Sequence, residues 1–262
     1  MNINLSIADL LLVAHTAALE AGSAIMQIYT SGAFDVSIKS DDSPLTKADR
    51  AAHEVITQHL VATGLPILSE EGSQLLFEQR QQWVWYWLVD PLDGTKEFLK
   101  RNGEFTVNIA LMHHNMPVAG VIYAPVLDSL YFGSAGTGVY KETKESKAQL
   151  LPLPKRHTLE DLPQQPELTI VASRTHLSPQ TEAFIQRFPG ANTSSMGSSL
   201  KFMLLAEGKA DLYPRFAPTM EWDTAAAHAI LNALNRGIYQ EDLQQELQYN
   251  KPNLLNPSFI AF

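Results

Sequence analysis

The chain has 262 residues, 45% of them hydrophobic, and a formal charge of −9, enough apolar material to bury a large core in one or two compact units. The negative balance argues against holding a nucleic-acid polymer on a general basic surface. The absence of cysteine excludes disulfides and thiolate metal sites and is compatible with a reducing compartment.

No Lys or Arg precedes Lys39, so the apolar start of the chain lacks the basic flank of a secretory signal. Ser6 reads instead as the cap of an amphipathic helix running toward Thr30. A loop over residues 39–44 leads to a second expected helix over 46–62. An apolar strand follows at Ile67, ending in the acid pair Glu70-Glu71, and a buried strand is expected over 83–89. That apolar run is far shorter than the about 20 residues of a membrane span, and no transmembrane segment is expected. Residues 105–113, 118–124 and 130–132 read as consecutive antiparallel strands. Charges and prolines accumulate over 141–166, which marks a boundary between an N-terminal α+β half, 1–145, and a C-terminal α/β half, 146–262. In the second half a strand is expected at 168–172 and helices at 179–188, 200–207 (closed by Gly208) and 223–235.

The chemistry concentrates at residues 88–95, Leu-Val-Asp-Pro-Leu-Asp-Gly-Thr. Asp-x-x-Asp alone also suits an ordinary turn. Here, however, Asp90 and Asp93 stand where a buried strand ends and a helix begins. Pro91 cannot continue a strand ladder, so both carboxylates can turn toward one point, and Gly94 permits a close backbone approach. Thr95 adds a hydroxyl at a helix N-terminus, which favours anions. Hard cations such as Mg2+ take oxygen ligands and share them with substrate phosphates. Glu70-Glu71 at a strand tip and Asp223 in the first turn of a helix bring further acids toward the same place.

Three motifs in order, Ser69-Glu70-Glu71, Asp90-Pro91-Leu92-Asp93-Gly94-Thr95 and Trp222-Asp223-Thr224-Ala225-Ala226, closely resemble the inositol monophosphatase-like superfamily of Mg2+-dependent, Li+-sensitive phosphatases. Ser43-Pro44-Leu45-Thr46-Lys47-Ala48-Asp49, Gly197-Ser198-Ser199-Leu200-Lys201-Phe202 and Leu212-Tyr213-Pro214-Arg215-Phe216 are most similar to its CysQ-type branch, the 3'(2'),5'-bisphosphate nucleotidases. The resemblance implies a five-layered α-β-α-β-α sandwich with the site between the halves. It also implies two to three Mg2+ ions: Glu70, Asp90 and the Leu92 carbonyl would hold the first, and Asp90, Asp93 and Asp223 the second. Asp49 and Thr95 would form the pair that deprotonates the attacking water, with Glu70 also in the catalytic set. Either Glu70 or Glu71 supplies the direct ligand, since neighbours on a strand point opposite ways.

On the substrate side, Gly94, Thr95, Ser198, Lys201 and Arg215 would contact phosphate, and the region of His176 would approach adenine. The implied activity is removal of the 3'-phosphate from adenosine 3',5'-bisphosphate to give AMP, with the sulfated analogue PAPS as a further substrate. An inositol or sugar phosphatase on the same site is the alternative, followed by a non-catalytic nucleotide- or metal-binding protein. The implied partner is a small-molecule nucleotide, and the implied location is cytoplasmic, including the cytoplasmic face of the inner membrane. Oligomeric state stays open. Glu221, before Trp222, stands where the pattern calls for no acid.

Other features are assigned no chemistry. The glycines from Gly133 to Gly138 read as a hairpin connection, because no apolar helix follows them. Trp83, Trp85 and Trp87 read as packing residues. The histidines lack a zinc-ligand arrangement, and no serine-nucleophile motif is present.

Overall fold

The computed structural model describes residues 6–32, 34–38, 44–73, 75–154, 158, 161–165, 167–173 and 178–262. Helix α1 (Ile7–Ser31) starts at a capping box in which the Ser6 hydroxyl and Asp9 bond reciprocally, and it stops at Gly32 with φ 73°. Its length and composition would suit a membrane span. Within the fold, however, Leu10, Ala14, Ala17, Ala18, Ala21 and Ile25 are buried against α2 and a sheet. A short ribbon of β1 (Ser37–Ile38) and β2 (Pro44–Leu45) leads into α2 (Lys47–Val61).

The main sheet has seven strands in the order β3-β4-β5-β6-β7-β8-β9. They are β3 (Ile67–Ser69), β4 (Trp85–Asp93), β5 (Thr106–His113), β6 (Met116–Ala124), β7 (Ser129–Ser134), β8 (Gly138–Glu142) and β9 (Gln149–Leu150), with short helices α3 (Phe77–Arg80) before β4 and α4 (Thr95–Leu99) after it. β3 and β4 are parallel; every later neighbour is antiparallel. The expected strand over 83–89 begins at Trp85 and continues to Asp93, because the ladder resumes at Asp93↔Thr106 after an irregularity at Pro91 and Leu92. The glycines from Gly133 to Gly138 form the β7–β8 hairpin. Trp87 donates its Nε1–H to Thr63 Oγ1 at 3.0 Å, and Trp85 stacks on His113, so both are packing residues.

The second half supplies β10 (Thr169–Ala172), α5 (Pro179–Ile185), β11 (Asn192–Ser195), α6 (Leu200–Ala206), β12 (Tyr213–Arg215), α7 (Glu221–Ala233), β13 (Ile238–Gln240) and β14 (Phe259–Ala261). β10 pairs parallel with β11, and β12 and β13 flank β14. A parallel bridge from Ile170 to Leu212 joins the two ribbons. β11 has no counterpart among the expected strands, because all four of its residues are exposed and it lacks the apolar alternation that betrays a strand.

The layers follow from which faces are apolar. Along β4, Trp87 and Val89 face α1 and α2, while Tyr86 and Leu88 face α6 and α7, as the two-residue period of a strand requires. A third cluster packs Phe184 and Phe188 against Ile170, Leu212 and Ile260. The result is α1/α2, the seven-stranded sheet, α6/α7, the second sheet, and α5: five layers. α7, from the second half, lies on the first half's sheet. It approaches closely at Gly120, where a Cβ would stand 2.2 Å from the Ala226 carbonyl oxygen. β9 extends this sheet beyond residue 145.

Candidate active site

Strand geometry delivers the acids. β3 and β4 run parallel with Ser69 opposite Val89, and the Glu70 N–H donates to the Val89 carbonyl at 3.1 Å, so Glu70 and Asp90 emerge side by side from the same end of the sheet. Glu70 lines the cavity there. Glu71 acts electrostatically on His53, whose Nδ1 lies 3.0 Å from Ser69 Oγ. Past Asp90 the ladder breaks, and Leu92 N–H turns back to donate to Asp90 Oδ1 at 3.0 Å. Gly94, at φ 93°, caps α4; this conformation demands glycine, and a Cβ there would also sit tightly, 3.2 Å from the Glu104 carbonyl oxygen.

Carboxylate oxygens of Asp90, Asp93 and Asp223 lie within 4.8 Å of one another. Asp93 Oδ2 accepts from Ser199 Oγ at 2.8 Å and from Asn108 Nδ2 at 3.3 Å. Asp223, in the first turn of α7, accepts from the Met220 N–H at 2.8 Å. Burial, with the charges of Glu70, Asp93 and Asp223 added, holds the Asp90 carboxyl well above the ordinary range. Asp223 is pushed the same way by burial and by Asp93. Like charges crowded in a desolvated place favour protons or a counter-cation. An all-oxygen donor set fits a hard divalent ion.

Asp49 stands behind Thr95 and is 1% exposed. One of its oxygens, Oδ2, accepts from the Thr46 N–H at 2.7 Å and the Thr46 hydroxyl at 2.5 Å, closing the capping box of α2. The other, Oδ1, accepts from Thr95 Oγ1 at 3.0 Å. The pair expected from the sequence is therefore in hydrogen-bond contact.

The cavity, of about 550 Å³, is lined by Glu70, Asp90, Asp93 and Asp223 and also by Ser198, Lys201 and Arg215. Lys201 is only 5% exposed, so it is a buried cation and not a solvated surface charge. Its ammonium donates to the Ser198 carbonyl at 2.6 Å and the Met196 carbonyl at 3.2 Å. Burial pulls its pKa down to about 8, against the opposing charge of Asp93. Arg215 donates through one terminal nitrogen to the Pro218 carbonyl at 3.3 Å. Arg215 Nε and Ser198 Oγ are buried with no hydrogen-bond partner among the described residues. Ser198 also sits at φ 44°. His176 lies outside the described residues.

Two supporting residues were not singled out from the sequence. Asn108, 1% exposed on β5 opposite Asp90, bonds Asp93, Ser199 and Thr106. Ser199, also 1% exposed, brings its hydroxyl to 2.8 Å from Asp93 and 2.9 Å from the Asp223 carbonyl, tying the two acids together. The only sequence signal was an asparagine amid the apolar run of β5. Glu221 points away from the cavity. It is fully buried and accepts from Lys251 Nζ at 2.5 Å.

The inositol monophosphatase family model matches residues 7–257. The chain is 47% identical over 247 residues to the 3'(2'),5'-bisphosphate nucleotidase CysQ of Salmonella typhimurium, covering 92% of this chain and 95% of the relative. It is 46% identical over the same shares to that of Escherichia coli K12. Among solved structures, the CysQ of Bacteroides thetaiotaomicron superposes with a TM-score of 0.85 at 46% identity over 98% of both chains. An inositol monophosphatase from Anabaena, 23% identical with a TM-score of 0.72 over 96% of this chain and 89% of that one, shares the fold.

Proposed function

We propose, from the premise that this chain belongs to the inositol monophosphatase family and is a phosphatase, that it hydrolyses the 3'-phosphate of adenosine 3',5'-bisphosphate to AMP and phosphate, and that PAPS is a further substrate. The observation that carries the reading is a single cavity lined both by the carboxylates of Asp90, Asp93 and Asp223 and by Lys201 and Arg215. Carboxylates alone would repel a phosphomonoester; cations alone would bind it without hydrolysing it.

The family is metal-dependent, and we assign Mg2+, two to three ions, to this chain. Glu70, Asp90 and the Leu92 carbonyl would hold one ion, and Asp90, Asp93 and Asp223 another. When bound, such ions acidify water and offset charge on the attacked and departing oxygens. The protein's own part begins at Thr95. Its hydroxyl donates to Asp49, so its lone pairs can accept a proton from the water while its own proton passes to Asp49 Oδ1. The water oxygen bonds to phosphorus, the P–O3' bond breaks, and the ribose oxygen takes up a proton from solvent. Thr46 keeps Asp49 oriented throughout. Ser198, Lys201 and Arg215 take the phosphate that is not hydrolysed, with charge-assisted hydrogen bonds fixing its place; Gly94 and Thr95 contact the one that is. We include in this reading inhibition by Li+ and a cytoplasmic location.

Phosphate release with Mg2+, compared across adenosine 3',5'-bisphosphate, inositol 1-phosphate and fructose 1,6-bisphosphate, tests it. The adenosine bisphosphate is expected to have the largest kcat/KM. Equal or higher kcat/KM on inositol 1-phosphate would replace this reading with an inositol phosphatase, and no release from any of them would leave a binding protein.

A further inference from the structure

Beside the cavity, residues 250–256 form a strap laid across the start of α7. Arg80, 2% exposed, grips one end: it donates to Asn250 Oδ1 at 2.7 Å, the Lys251 carbonyl at 2.7 Å and the Pro252 carbonyl at 3.1 Å. Glu221 grips the same end from α7, its carboxylate accepting from the Asn250 N–H at 2.7 Å and the Lys251 N–H at 3.1 Å as well as from Lys251 Nζ. The other end is stitched to the residues before α7. Glu221 N–H donates to the Leu254 carbonyl at 2.9 Å, and Asn256 N–H to the Thr219 carbonyl at 2.8 Å. The Asn256 amide donates to the Met220 carbonyl at 2.8 Å.

We infer that Glu221 and Arg80 are positioning residues that act through this strap to fix Asp223. Met220 is the link: its carbonyl is held by the strap, and its N–H orients the Asp223 carboxylate at 2.8 Å. A buried carboxylate and a buried guanidinium gripping the same two residues are costly to desolvate. Surface loops are ordinarily held more cheaply, and this one ends on a side chain whose aim matters. Outer partners that orient a metal's ligands are typically worth about 10- to 100-fold in affinity.

The inference rests on the reading of Asp223 as a cation ligand. The test is Mg2+ binding to the full chain by titration calorimetry, well below each variant's Tm, with Tm measured separately. Glu221→Gln and Arg80→Met are expected to weaken Mg2+ binding by about 10-fold or more. Phe184→Leu, in the distant α5 layer, should lower Tm and leave Mg2+ affinity unchanged, which separates positioning from general loosening. Where Glu221→Gln does not fold, Glu221→Asp takes its place, keeping the charge while shortening its reach. Wild-type Mg2+ affinity in the Glu221 and Arg80 variants, with weakened binding in Asp223→Asn, overturns the inference alone. Wild-type affinity in Asp223→Asn overturns the ligand reading beneath it.

Discussion

The two sides of the cavity are built differently. On the carboxylate side four acids are held from behind: Asp49 by Thr46, Asp90 by the Leu92 N–H, Asp93 by Ser199 and Asn108, and Asp223 by Met220. On the cationic side Ser198 Oγ and Arg215 Nε are buried without partners among the described residues, and only Lys201 is firmly tied, to two loop carbonyls. The acids are aimed in advance, as charge stabilisation in a transition state requires. The second wall keeps donors uncommitted for a ligand, as recognition of one substrate over another requires. On the proposed reading, chemistry and specificity are expected to be separable by mutation.

Asp93→Asn breaks that comparison most severely. A metal ion contributes several kcal/mol to stabilising transition-state charge, and 1.36 kcal/mol is tenfold in rate, so a loss of more than about 1000-fold in kcat is expected. Circular dichroism should be unchanged, because the amide still accepts from Ser199. Near wild-type phosphate release from this variant would sink the carboxylate assignment.

Arg215→Ala should sharpen the comparison from the other side. A charge-assisted hydrogen bond of about 1.5–3 kcal/mol corresponds to about 10- to 150-fold in kcat/KM for the bisphosphate, while a substrate lacking the second phosphate should be turned over as before. Lys201→Ala should differ, because Lys201 also holds the loop at Met196 and Ser198; both substrates should lose, the bisphosphate more. Equal losses in Arg215→Ala on both substrates would make Arg215 a support of the fold.

Gly120→Ala tests whether the two sides depend on one packed contact. The added Cβ would meet the Ala226 backbone, so α7 must shift. About 1–3 kcal/mol of overpacking is expected, seen as a fall in Tm of about 2–4 °C per kcal/mol. An unchanged Tm would mean that α7 moves freely over the sheet.

The smallest effect lies away from the cavity. Glu246 Oε2 is 3.1 Å from His228 Nε2, and this hydrogen bond, against the opposing effect of burial, holds the Glu246 carboxyl below its ordinary value of 4.5. A depressed native value means that the stabilisation is present above about pH 4.5 and is lost as pH falls through the native value. Glu246→Gln should therefore cost about 1 kcal/mol at pH 7 and progressively less as the pH falls below about 4.5, by chemical denaturation. A difference that did not shrink on acidification would show that charge is not what holds the pair.

What the sequence disclosed follows the same division. The run from Asp90 to Thr95 was legible because a strand end, a proline, a glycine and a helix start are local signals, and α1 and α2 carried their caps in the open at Ser6 and Thr46. Asn108 and Ser199 were not assigned, since their roles come from cross-strand register and from a helix end arriving from the other half. The strap over residues 250–256 has no periodicity, and its meaning lies wholly in long-range bonds to Arg80 and Glu221. β11 was invisible because it buries nothing. The burial of Lys201 has no local signal either; it comes from packing between the halves.

The divided carboxylate of Asp49 carries a further consequence. One oxygen seals the first turn of α2 and the other receives the Thr95 hydroxyl, so the residue resists neutral replacement in a particular way. An amide offers one acceptor. If its oxygen faces Thr95, its NH2 is set against the Thr46 N–H, two donors nose to nose; reversed, the helix start is satisfied and the hydroxyl loses its base. Neither orientation of asparagine restores both contacts, but the reversed one leaves the helix start intact, so under the proposed mechanism the acid is needed for turnover, and a lineage that abandoned the reaction could exchange it for asparagine without unmaking the helix.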